Sequence, residues 1–267
     1  MSSVYRDPIL ELKDVGFRYS RGKDFINNLN LSVRDGEIIG LLGANGSGKS
    51  TILKLAGGIL NPTDGLITLW GNPLHLYKNK DRAKLLCYLP QILDINVPFR
   101  VRELVGMGLY PYDVAPEIEV DESLEMVGLK GKEESYIKNL SGGEVRRTFI
   151  AMTLLQGAGL LLLDEPLANL DIKYQIEILG LLRDLREKKD ISIIMALHDI
   201  NMALQFEKVI LIKDGKILGS GGPETVLTKE HLKEAFDVEI EINRNYAGES
   251  YISYINNYSQ KNIRVIR

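Results

Sequence analysis

Residues 43–50 read GANGSGKS: a glycine, four residues, then Gly48, Lys49 and Ser50. This is the spacing of a loop that holds the phosphates of a nucleotide. Glycines let backbone N–H groups curl around phosphate oxygens with no Cβ in the way. A helix starting near Lys49 aims the positive end of its dipole at the same oxygens. Lys49 adds a full charge on the β and γ phosphates, and the Ser50 hydroxyl is a ligand for Mg²⁺. The phosphate-binding set is therefore Gly43, Ala44, Asn45, Gly46, Ser47, Gly48, Lys49, Ser50 and Thr51. The bland alternative is a glycine-rich turn with a chance lysine. A buried apolar run before the loop and an amphipathic stretch after it count against that.

Further along, Leu160–Leu163 end in Asp164 and Glu165. An apolar strand ending in a carboxylate brings Asp164 beside the Mg²⁺ site, through a water. Glu165 is then in place to polarise an attacking water as general base. Such a run on its own is an ordinary buried strand emerging into solvent; beside a phosphate loop it becomes the second half of a hydrolytic site. The stretch Leu140-Ser141-Gly142-Gly143-Glu144 reads as a helix start, with Ser141 as cap and Glu144 at the capping-box position. A capped helix N-terminus with two glycines is also an anion site.

With residues 140–144 in place, the chain resembles the ABC transporter ATPase family, over about residues 8–235. The resemblance implies an α/β fold: a P-loop NTPase (RecA-like) core, an antiparallel β lobe and an inserted helical lobe. It implies that Tyr19 stacks on adenine, where the bland reading is a plain strand tyrosine. Gln91 matches the glutamine that ligates Mg²⁺ and water and senses the permease. Asn169-Leu170-Asp171 resembles the loop that touches the opposite subunit, and it can also cap a helix. His198 matches the histidine that contacts the γ-phosphate. The catalytic set is then Glu165, His198 and Gln91, and the metal set Ser50, Gln91 and Asp164, with ATP and Mg²⁺ as ligands. Two departures from the family pattern bear on the subunit interface: Val145 stands between the signature and Arg146-Arg147, and Leu167 and Ala168 replace small polar residues.

The family arrangement is a head-to-tail homodimer in the ATP-bound state. Each ATP lies between Gly43–Ser50 of one subunit and Ser141–Gly143 and Asp171 of the other. The further partners it implies are integral membrane permease subunits and an extracytoplasmic substrate-binding protein, with the chain held at the cytoplasmic face of the membrane. Val101–Tyr112 and Leu197–Leu204 resemble segments of the subgroup importing iron-siderophore, haem or cobalamin; zinc, manganese and molybdate import stay open. A non-transport ABC ATPase is a different class. Its DNA-repair members carry long coiled-coil insertions and its translation members paired ATPase domains, and this sequence shows neither. An ATP-binding module without turnover predicts loss of Lys49 or Glu165, and both are present.

These residues need elements to hold them. Alternating apolar positions in residues 8–42 predict a small antiparallel lobe, with Glu37–Leu42 as a buried strand feeding the loop. Lys49–Leu60 has helical spacing. Residues 66–75 return to the strand lobe, and helical periodicity in 100–109, 121–129 and 141–156 predicts a helical lobe over about 92–157. Gly159–Asp164 and Ile191–Leu197 are continuous apolar runs around a helix at 171–188, a βαβ rhythm with strands covered on both faces. Residues 208–218 predict a hairpin turning at Asp214-Gly215. The expected division is an ATP-binding domain over 1–240, with the β lobe and P-loop core at about 8–90 and the core continued at 158–235. A tail of unread role follows at 241–267.

Composition sets the outer bounds. The 267 residues are 45% hydrophobic and 26% charged, ordinary for a globular chain. A net charge of -3 argues against a generic nucleic-acid binder. Cys87 is the single cysteine, so no internal disulfide can form and a reducing compartment is expected. The N-terminal stretch lacks the apolar core of a secretory signal, and no apolar run is long enough to span a membrane.

Overall fold

The computed structural model describes residues 7–20, 22, 24–91, 93, 98–114, 119–168 and 170–255. Leu10–Phe17 (β1) and Ile26–Val33 (β2) pair antiparallel, with Leu10, Leu12, Val15, Leu29 and Val33 turned inward. The turn at Asp35-Gly36 then leaves this sheet. It delivers the chain to Ile38–Gly43 (β3), a strand of a second sheet. The helix after the glycine loop, Lys49–Ala56 (α1), stops four residues before the Leu60 that its apolar spacing predicted. Gly57 ends it. Beyond Gly58, in a left-handed turn at φ 65, the N–H groups of Ile59 and Leu60 both return to the Lys54 carbonyl.

Asp64–Leu69 (β4) comes back to pair antiparallel with β1, and Asn72–Pro73 (β5) completes a four-stranded sheet in the order β2-β1-β4-β5. Asn79–Leu85 (α2) leads into Leu86–Leu89 (β6). The predicted helical lobe follows as Val101–Gly106 (α3), Val120–Met126 (α4) and Gly142–Gln156 (α5). Its buried face includes Val101, Leu104, Val105, Leu124, Val127, Val145 and Ile150.

Leu160–Leu163 (β7), Ile172–Lys189 (α6) and Ser192–Leu197 (β8) realise the βαβ rhythm. The single-turn Ile200–Ala203 (α7) precedes Lys208–Lys213 (β9) and Lys216–Gly221 (β10). At the hairpin between them Asp214 and Gly215 both have positive φ, 46 and 72, which matches the twist of the flanking strands. The second sheet has the order β10-β9-β3-β8-β7-β6, parallel except for the edge strand β10. Pro223–Val226 (α8) and Lys229–Phe236 (α9) lead to a C-terminal hairpin of Ile240–Arg244 (β11) and Ser250–Tyr254 (β12).

The unbroken apolar runs of the second sheet serve two cores at once. Successive side chains of a strand face opposite ways. Leu160, Leu162, Ile194 and Ala196 therefore join a core shared with α1 and the β lobe. Leu161, Leu163, Ile193, Met195 and Leu197 join another shared with α6, the helical lobe and the C-terminal hairpin. A sheet sandwiched this way can carry apolar residues at every position.

Candidate active site

The buried strand β3 ends at Gly43, where close approach forbids any side chain. A Cβ there would lie 2.5 Å from both the Ile212 carbonyl oxygen and Ser47 Oγ. Gly48, just before α1, sits at φ 111, open to glycine and strained for other residues. Lys49 then starts the helix and folds back over the loop. Its Nζ donates to the carbonyls of Gly43 at 2.8 Å and Ala44 at 3.2 Å, and lies 3.5 Å from Glu165 Oε1. The side chain is only 4% exposed. Burial pulls its pKa below the ordinary lysine value, against the opposing pull of the Glu165 and Asp164 carboxylates.

Asp164 follows β7 directly, and its own N–H donates to the Leu89 carbonyl at 2.9 Å. It is 2% exposed and accepts from Ser50 Oγ at 2.9 Å and from the Tyr88 hydroxyl at 3.0 Å. Burial raises its pKa, while these two hydrogen bonds pull the other way. Glu165 takes a left-handed backbone at φ 47, a conformation that costs a non-glycine residue about 1–2 kcal/mol. Its carboxylate is the meeting point of the site. Besides Lys49, Oε2 accepts from Gln91 Nε2 at 2.7 Å, and His198 Nδ1 stands 3.7 Å away.

Around these groups opens a cleft of about 410 Å³, lined by Asn45, Gly46, Gly48, Lys49, Ser50, Thr51, Gln91, Glu165 and His198, with Phe25 and Ala168. Tyr19 stands near its rim, hydrogen-bonded to Thr51 Oγ1 at 2.6 Å. Its ring meets Phe17 and Phe25 edge-on, at 4.8 and 5.5 Å between centroids, and stays 62% exposed. One chain therefore gathers the loop, both carboxylates, Gln91, His198 and Tyr19. The oxygen donors at hand, the Ser50 hydroxyl, the Asp164 carboxylate and the Gln91 amide, are hard ligands of the kind Mg²⁺ takes while keeping several waters. Among the described residues no three His, Cys, Asp or Glu side chains gather as a separate metal site.

The signature residues do not join this cleft. Ser141 and Gly142 are exposed at the start of α5, and Gly143 packs beneath the Tyr174 ring. Ser141 caps the helix as expected. The Glu144 N–H donates to Ser141 Oγ at 3.3 Å, and the Ser141 N–H to Glu144 Oε2 at 2.9 Å. That N–H bond holds the Glu144 carboxyl below the usual range, and Lys132, 3.3 Å away, adds to it. Asp171 is exposed before α6 and its side chain makes no capping bond, so the expected capping role is not realised. Asn169 lies outside the described residues. Val145 and Leu167, the departures from the family pattern, are buried, and Ala168 faces the cleft.

Three neighbours of the site went unread in the sequence. Tyr88 reaches Asp164 from the adjoining strand, and Phe25 lines the cleft. Arg146, 7% exposed, donates to the carbonyls of Pro90 at 3.2 Å and Gln91 at 3.1 Å, tying the signature helix to the backbone that carries Gln91. Burial lowers its pKa. The partners of Tyr88 and Arg146 are 76 and 55–56 positions away, so no local spacing announces them.

Residues 26–168 match the ABC transporter family. Petrobactin import ATP-binding protein FpuC of Bacillus anthracis is 40% identical over 233 residues, covering 84% of this chain and 86% of its own. Hemin import ATP-binding protein HmuV of Rhodopseudomonas palustris is 35% identical over 242 residues, covering 86% and 89%. A solved ATP-binding cassette, dimeric in a post-hydrolysis state with ADP and Pi bound, superposes with a TM-score of 0.71 at 28% identity, over 80% of this chain and 98% of its own.

Proposed function

Because the chain belongs to the ABC transporter ATPase family, we propose that it hydrolyses Mg²⁺-ATP to power uptake of a metal chelate through a separate membrane permease. The chelate class is iron-siderophore, haem or cobalamin. The observation that carries the hydrolytic part is the convergence of Lys49, Gln91 and His198 on the Glu165 carboxylate.

In this reading the loop N–H groups and Lys49 take the β and γ phosphates, so Lys49 exchanges its carbonyl and carboxylate partners for phosphate oxygens. Glu165 is then free to accept a proton from water as the water attacks the γ-phosphorus. Gln91, already 2.7 Å from that carboxylate, orients it, and His198, which also lines the cleft, meets the γ-phosphate. Ser50, Asp164 and Gln91 would hold Mg²⁺, which when bound neutralises the charge that builds on the phosphates. The bond from the γ-phosphorus to the bridging oxygen breaks, leaving ADP and phosphate.

The signature completes the site from a second copy. Ser141–Gly143 and Asp171 of one chain close on the nucleotide held by its partner. ATP favours the closed dimer because its γ-phosphate touches both chains, and hydrolysis removes that preference. Residues 1–240 form the ATP-binding domain, with the helical lobe at about 92–157 facing the permease. No helix among the described residues is long and apolar enough to cross a membrane. In this reading the permease holds the chain at the cytoplasmic face. A substrate-binding protein outside the membrane completes the system.

Co-purified with its permease and reconstituted in vesicles, the complex should show ATP-dependent uptake of at least one of a ferric siderophore, haemin or cobalamin. Uptake confined to zinc, manganese or molybdate would overturn the chelate assignment. A stoichiometric nucleic-acid or ribosomal partner in place of a polytopic membrane protein would overturn the transport assignment.

A further inference from the structure

The C-terminal hairpin, whose role the sequence left unread, is fastened to the segment that follows His198. The Oδ1 atom of Asn201 accepts from the Ile252 N–H at 2.7 Å, and its Nδ2 donates to the Ile252 carbonyl at 3.0 Å. A side-chain amide thus pairs both backbone groups of one strand residue, as a neighbouring strand would. The seat is anchored from below: Ile240 and Ile252, one from each strand of the hairpin, are 3% exposed and belong to the core under the second sheet.

His198 needs such an anchor. Its side chain is 54% exposed, and 3.7 Å to Glu165 is too long for a hydrogen bond. Its position is therefore set by the backbone on either side. On one side β8 is locked between β3 and β7. On the other stands α7, only four residues long, which cannot hold itself together. Three features stabilise it. Asp199 Oδ1 accepts from the N–H groups of Asn201 and Met202 at 2.8 and 3.1 Å. Ile200 and Ala203 are buried. Asn201 grips the hairpin.

We propose that Asn201 is a positioning residue for hydrolysis: through it the hairpin 240–254 acts as a strut that sets the backbone carrying His198. The inference rests on the reading above that His198 contacts the γ-phosphate. Asparagine is the residue type the joint requires. Aspartate offers no donor and would set a carboxylate against the Ile252 carbonyl, while alanine reaches neither group.

The test uses the full chain. The sequence has three histidines, so the imidazole signals are few, and the one lost in His198→Ala identifies His198. Asn201→Ala and Asn201→Asp should each lower kcat for ATP roughly tenfold while leaving KM within about twofold, because the loop, Lys49 and Tyr19 are untouched. Both should shift the His198 signal and leave that of His75, on the far lobe, in place. Simple destabilisation would lower the melting temperature without this kcat and KM split. If Asn201→Ala does not fold, Asn201→Asp, of nearly the same volume, decides. Wild-type kcat with an unmoved His198 signal in Asn201→Asp overturns the strut, whatever His198→Ala does. If His198→Ala itself turns over at the wild-type rate, the γ-phosphate role of His198 falls, and the signal shift alone then decides whether the strut stands.

Discussion

The two regions proposed to carry the nucleotide chemistry are built in opposite ways. In the cleft, Lys49 and Asp164 are 4% and 2% exposed, and each has partners within its own chain. At the signature, Ser141 and Gly142 stand in solvent, and Ser141 is held by bonds within its own turn, chiefly the capping box with Glu144. One region is pre-organised by partners spread through the chain; the other is the exposed first turn of a helix, held by a local capping box. The contrast teaches that the cleft can be assembled by folding alone, and it fits the proposal that the signature meets a ligand brought by a second copy.

The largest test of that contrast strikes the self-contained side. Lys49→Ala should abolish hydrolysis, by roughly a hundredfold or more, because a buried full charge on the phosphates is lost; wild-type turnover in a steady-state phosphate-release assay would sink the loop assignment. Glu165→Gln should stop turnover by a comparable factor yet leave an ATP-bound dimer on a sizing column, since the base goes while the adhesive contacts stay. A Glu165→Gln chain that remains monomeric with ATP and Mg²⁺ would break the two-chain reading of the signature. The comparison is sharpened by mixing damaged chains. Ser141→Arg should silence a homodimer, but mixed with Lys49→Ala chains it should regain part of the activity, because one of the two composite sites is then intact; no recovery would place both functions in one chain. The smallest effect is expected at the rim, where Tyr19→Ala should raise KM for ATP by roughly tenfold at most with kcat nearly unchanged, the size of one lost stacking contact.

How far the sequence could be read follows the same division between local and distant causes. The glycine loop, the capped start of α5 and the runs Leu160–Leu163 and Ile191–Leu197 announce themselves because spacing and residue type act within a few positions. The extent of α1 was misread because apolar spacing continues through Ile59 and Leu60 while Gly57 and Gly58 turn the backbone away. Tyr88 and Arg146 were invisible for another reason: what makes them matter is a strand pairing and a lobe contact that bring together residues far apart in the chain. The hairpin over 240–254 went unread for the same reason, since its attachment to Asn201 lies 51 positions away.

The run Leu160–Leu163 carries a consequence of its own. Four identical residues, buried on both faces, contain no instruction about where along the neighbouring strands they should stop. A slip of one residue would exchange leucines between the two cores nearly one for one, yet move everything after the strand by about 3.3 Å. The stop is supplied from the end of the run, by Asp164, whose N–H meets Leu89 and whose carboxylate meets Ser50 and Tyr88. The aspartate proposed to serve the phosphate chemistry thus also acts as an alignment mark of the central sheet, so a change there would disturb both.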